Sequence, residues 1–255
     1  MAAPSAVALA AGATLVAAAF TIALGDRWIT RRKPHELAWT ISLAMFTLAS
    51  AALWIGVSTG WTQGSFRAFY LFGAILNVPW LALGSILLLF GAKRANTWLL
   101  SFSLSSAFIA GLICVIPLRA SVPADDLPEG RKVFGILPRV LAAAGSGIAA
   151  MVIIVFAVWS AWRLFRGRNR DGLATLGTVS AGRLAAGNLL IAVGTFVLSA
   201  SGTVAGRLGK TQAFAVTLAI GIAVLFVGFV VATGNPGTSK FSARIAAQQL
   251  ALYGG

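Results

Sequence analysis

The sequence is poor in the residues from which most active sites are built. It has one cysteine, one histidine and six acidic residues among 255. A lone cysteine, Cys114, makes no intrachain disulfide and no CxxC pair; inside an apolar run it reads as a small packing residue. One histidine excludes bis-histidine haem ligation within the chain. The apolar runs after the first hold no carboxylate beyond Glu36. Proton relays and ion-coupled pumps usually need ionisable groups inside the membrane, so proton-coupled transport is disfavoured, although backbone carbonyls also bind ions. No metal-ligand cluster, catalytic dyad or cofactor motif emerges, so the chain reads as non-catalytic and without a cofactor.

Charge itself is scarce. Charged residues make up 10% of the chain and apolar residues 58%, whereas soluble domains carry about 25% charged residues. Several uncharged runs exceed 18 residues, the length that argues for membrane spans. Seven spans are expected, at about 5–25, 35–57, 66–90, 98–118, 137–162, 183–205 and 211–233. After the breaker GNPG, residues 241–253 suggest a short cytoplasmic interfacial helix. No linker is long enough to divide the chain, so residues 1–255 read as one all-α domain, a polytopic membrane helix bundle.

Orientation follows from the basic residues. No Lys or Arg precedes the first span, so it lacks the n-region of a signal peptide and is expected to be retained. With the N-terminus outside, thirteen Lys and Arg fall in cytoplasmic segments and seven in outer ones. That bias predicts an outside N-terminus and a cytoplasmic C-terminus. Trp28, Trp39, Trp98, Trp159 and Trp162 fall near inner ends, and Trp54 and Trp61 near an outer one, as an interfacial belt would place them. The net charge of +14 lies mostly beside spans, where orientation and anionic headgroups account for it. The partners expected are the lipid bilayer, anionic headgroups and another membrane protein, not nucleic acid.

Two loops carry charge clusters. In RRKPHE, Pro34 suits a first helical turn and Glu36 complements the positive helix end. Helix-start chemistry and an orientation signal account for it; the sharper reading is an anionic-headgroup contact by Arg31, Arg32, Lys33 and His35. The longest outer connection, Pro117–Arg139, groups Asp125, Asp126 and Glu129 before Arg131 and Lys132. Its spacing matches no EF-hand, so it reads as a partly ordered cap with internal ion pairs, and as the main external surface or lid.

Within the spans, FYLFGAILNVPWLALGSILLL sets Asn77 two residues before Pro79. Asn77 falls about 15 Å from the start of its helix, near the midplane. Thr47, Ser50, Ser105, Ser106, Ser146 and Thr195 fall at middle depths on other spans. A buried amide or hydroxyl needs a partner, so these residues should mostly face inward. They form either a belt of interhelical hydrogen bonds or the wall of a polar cavity. Gly73, Asn77, Trp80 and Gly84 share one face, whose glycines permit close backbone approach. Pro79 cannot donate to the Ile75 carbonyl, so a kink is expected there.

RRKPHELAW together with FRAFYLFGAILNVPWLALG resembles an uncharacterised family of multi-pass integral membrane proteins from high-GC actinobacteria. The resemblance covers spans two and three. It implies a bacterial plasma-membrane protein and supplies no reaction and no functional residues. Microbial rhodopsins also have seven helices and an outside N-terminus, but they hold retinal on a lysine within the last helix; the last span here has none. Two functions fit the sequence. One is a non-catalytic accessory or scaffold protein in the plasma membrane. The alternative is a transporter or binder of a lipid or other apolar small molecule, through a midplane cavity near Asn77.

Overall fold

Every regular element is helical in the computed structural model, which describes residues 4–90, 95–165, 186–187, 189–198 and 211–233. Helix α1 spans Pro4–Arg31 and α2 Pro34–Thr59. One continuous helix follows in three parts: α3 (Gln63–Phe69), a π-helical segment (Tyr70–Leu76) and α4 (Asn77–Phe90). Then come α5 (Ala95–Val115), the single turn α6 (Gly130–Val133) and α7 (Ile136–Phe165). The short apolar helix α8 (Leu189–Leu198) and α9 (Thr211–Thr233) complete the described chain.

Six of these helices are long and apolar enough to cross a membrane: α1, α2, α3–α4, α5, α7 and α9. The chain is a multi-pass membrane protein. Helix α8 lies where the sixth span is expected; the rest of that span, and the expected interfacial helix, lie outside the described residues. The first helix runs beyond the expected span of about 5–25. Helix α1 runs on to Arg31, so Arg27 and Arg31 sit one turn apart on its last turns rather than in a loop.

Helix α2 is central, packing on α1 and on the π–α4 helix; α1 also meets α9, and α4 meets α7. On α1 the buried side chains are Ala6, Ala10, Ala13, Ala17, Phe20 and Leu24. Their spacing of three and four places them on one helical face, and small residues let the α2 backbone come close. Phe20 meets α9 edge-on at Phe226, ring centroids 5.1 Å apart.

The α1–α2 turn shows what RRKPHE does. Arg32 takes a left-handed conformation (φ 53°), and its N–H reaches back to the Trp28 carbonyl at 2.7 Å. Pro34 opens α2. Glu36, 2% exposed, lies 3.6 Å from Arg27 and 3.7 Å from Arg31. The motif therefore clasps two helices by a buried carboxylate between two guanidinium groups.

Two tryptophans depart from an interfacial belt. Trp61 is 5% exposed and packs into the notch left by Gly56. Trp39 fills the notch at Gly84, and its Nε1 donates to the Leu81 carbonyl at 3.2 Å. Gly84 thus admits an indole ring rather than a helix backbone. The Pro79 region differs too: the helix widens into π geometry just before Asn77 instead of only bending at the proline.

The 116–135 connection folds back over one end of the bundle. Phe134 is fully buried, stacked on Phe66 with centroids 5.3 Å apart. Trp61 N–H donates to the Ala124 carbonyl at 3.0 Å, and Arg119 N–H to the Val133 carbonyl at 2.8 Å. The ion pairs inside the cap join Glu129 to Lys132 (2.7 Å) and to Arg131 (3.1 Å).

Candidate functional site

Beneath this connection lies a cavity of about 1310 Å³. Drug-sized sites occupy about 300–1,000 Å³, and this cavity is larger. Its mouth is formed by the connection, with Glu129, Arg131, Lys132 and Arg139. Its middle is apolar, with Phe46, Phe69, Phe214, Leu218 and Ile222. Its floor is polar, with Ser42 from α2, Asn77 from α4, Ser146 from α7 and Thr195 from α8; Ser50 lines the wall a turn beyond Phe46, nearer the mouth.

Asn77 anchors the floor. It is 8% exposed, and the Ser42 hydroxyl donates to its main-chain oxygen (2.9 Å) and its side-chain oxygen (2.8 Å). Its side-chain NH2 group has no hydrogen-bond partner among the described residues.

Ser146 answers the proline. Pro79 has no N–H for the carbonyl four residues back, Ile75, nor for the one five residues back, Ala74, which is its partner in a π register. The Ser146 hydroxyl donates to the Ala74 carbonyl. The neighbouring Gly145 brings α7 against the same notch: a Cβ there would lie 3.5 Å from the Ile75 oxygen and 3.7 Å from the Pro79 ring. Deletion of one backbone donor is thus met by a hydroxyl from another helix, as membrane helices require.

The remaining lining hydroxyls are bound within their own helices, Ser50 to the Phe46 carbonyl and Thr195 to that of Ile191, both at 2.8 Å. Each hydroxyl proton on the floor is therefore committed. The oxygens keep acceptor capacity.

The expected midplane residues do not form one cluster. Asn77, Ser50, Ser146 and Thr195 line the cavity. Thr47 lies away from it, 3.1 Å from Thr21 of α1. Ser106 accepts from Trp80 Nε1 at 2.9 Å, tying α5 to α4. Ser105 corrects the inward expectation: it is exposed on the outer face of α5, as is Cys114. Helical phase explains both, since α5 touches the bundle only along a narrow stripe ending at the buried Ile113.

Ser42 was missed in the sequence, although it lies eight residues from Ser50 and so on the same helical face. Arg67 lies in the first turns of the third expected span, 66–90, where no role was assigned to it. Its guanidinium caps α5, donating to the Ile113 carbonyl and, at 2.8 Å, to that of Ile116.

The expected headgroup residues are partly occupied by protein. Arg31 pairs with Glu36, Arg32 stacks over the Trp28 ring at 5.3 Å, and His35 lies edge-on to Trp39 at 5.2 Å. Lys33 holds the N-cap position of α2 and is exposed. At the mouth, the Lys132 hydrogen bond and then its charge, helped by Arg131, hold the Glu129 carboxyl below its ordinary range.

No protein-family model, curated protein or solved structure matches the chain.

Proposed function

We propose that this multi-pass membrane protein is non-catalytic and binds a lipid or other apolar small molecule in the cavity above Asn77. The cavity carries the reading: it is roomy enough for a small amphiphile, largely apolar in its middle and polar at mouth and floor. The accessory role rests on the outward face of α5, where Trp98, Leu104 and Phe108 are exposed. A bilayer covers such a face as well as a partner protein does, so the cavity decides between the two. The topology belongs to the proposal as well: seven spans, with α8 inside the sixth, in a bacterial plasma membrane, with the N-terminus outside and the C-terminus cytoplasmic. The loop charges support it.

Native mass spectrometry of protein extracted with its lipids tests the binding role. The expected result is one bound small molecule per chain, weakened in Ala142→Phe, which sets a ring into the cavity, and kept in Ser105→Ala on the outer face. A ligand-free spectrum with an added membrane subunit would instead support the accessory role. A reporter fused after Tyr253 tests the topology, and an external signal overturns it.

A further inference from the structure

We propose that the cavity holds an anionic amphiphile in a fixed direction, with its charged head at Arg139 and a hydroxyl at its far end on Asn77. The inference rests on the binding role above and adds the ligand's chemistry and orientation.

The mouth supplies the anion site. Arg131, Lys132 and Arg139 line it together with the carboxylates Asp126 and Glu129. Glu129 is occupied by Arg131 and Lys132. Arg139 has no ion pair among the described residues. It sits in the first turn of the 30-residue α7, where the helix dipole adds positive potential to its own charge. An anion placed there meets both.

The floor selects the other end. Asn77 presents an unpartnered NH2 group, and Ser42, Ser146 and Thr195 present oxygens whose protons are already committed. A bare methyl end would take these groups out of water and give nothing back. An ammonium would lack a counter-charge, since both lining carboxylates belong to the connection. A hydroxyl donates once and accepts twice, and so serves both kinds of group.

Helix α7 sets the length. Arg139 to Ser146 covers seven residues, or about 10 Å of rise. A ten-carbon chain spans that depth on the order of its extended length.

The test uses labelled decanoate, decanol and ω-hydroxydecanoate in equilibrium dialysis against the full chain in phosphatidylcholine nanodiscs, with empty nanodiscs as the blank. ω-Hydroxydecanoate is expected to bind about threefold to tenfold tighter than decanoate, the effect of one net hydrogen bond. Asn77→Leu should abolish that preference and leave decanoate binding in place. Thr195→Val, whose hydroxyl bonds only its own helix, should reduce the preference and serves if Asn77→Leu does not fold. Arg139→Gln should weaken both acids and leave decanol unchanged. Equal affinity for the two acids, or a preference unmoved by both floor variants, overturns the floor assignment. Acid binding unmoved in Arg139→Gln overturns the mouth assignment. Binding without selectivity leaves the cavity role standing and defeats this inference alone; no binding of any probe defeats both.

Discussion

The hydroxyl of Ser42 stands 2.8 Å from the side-chain oxygen of Asn77 and 2.9 Å from the main-chain oxygen of the same residue. One proton thus faces two acceptors, and the α2–α4 contact depends on it. Ser42→Ala should cost about 1 kcal/mol of stability. Asn77→Leu should cost less at this contact, because the main-chain acceptor remains for Ser42. The double variant should show a coupling of about 0.6–1.7 kcal/mol, the range measured for hydrogen bonds between membrane helices. Reversible unfolding in mixed micelles measures all three; strictly additive costs would show that Ser42 and Asn77 do not interact through this bond.

A second pair of variants separates the proline from its compensation. Ser146→Ala removes the donor to the Ala74 carbonyl and should cost about 1–3 kcal/mol, the penalty of an unmet buried acceptor. Pro79→Ala restores an N–H within that helix. In the Pro79→Ala background the same Ser146→Ala change should cost markedly less. Equal cost in both backgrounds would sever the link between Ser146 and the proline.

How far these features were legible in the sequence depends on their range. The long helices were legible because length and apolarity fix them: the apolar run of residues 211–233 is helical throughout. Asn77 was legible because a lone amide in a 20-residue apolar run is conspicuous. The phase of Ser105 was not, because Ser101, Ser103, Ser105 and Ser106 are spread around α5 and mark no inward stripe to read. Trp61 and Trp39 looked interfacial by depth alone. Their burial depends on Gly56 and Gly84, and in the second case the notch and the ring lie on different helices. The π segment was hidden because proline announces a missing donor but not how the preceding turn relaxes around it. The cavity mouth depends on Phe134 and the fold-back of the connection, a contact between distant parts of the chain.

The glycine notches yield a contrast. Gly84→Ala sets a methyl group into the Trp39 ring, and should cost about 1–3 kcal/mol by overpacking. At Gly12 an added Cβ meets nothing within 4 Å, so Gly12→Ala should stay within about 0.5 kcal/mol of the parent. Thermal unfolding in the same detergent compares them directly. Equal effects at the two sites would mean that Trp39 does not occupy the Gly84 notch.

The cap over the cavity should respond to acid through Glu129. Its carboxyl titrates below the ordinary 4.5 because Lys132 donates a hydrogen bond to it, with the charges of Lys132 and Arg131 adding to the effect. A depressed carboxylate pKa contributes its stabilisation fully above the unfolded value, and that contribution fades as pH falls through the folded value. Between neutral pH and about pH 3, the 116–135 connection should therefore become more accessible while the helices persist. Glu129→Gln should show the looser cap at neutral pH and lose most of the acid response. Limited proteolysis of the connection across that range, with helix content followed by circular dichroism, reads both quantities. A cap equally protected at both pH values would remove Glu129 as its fastening.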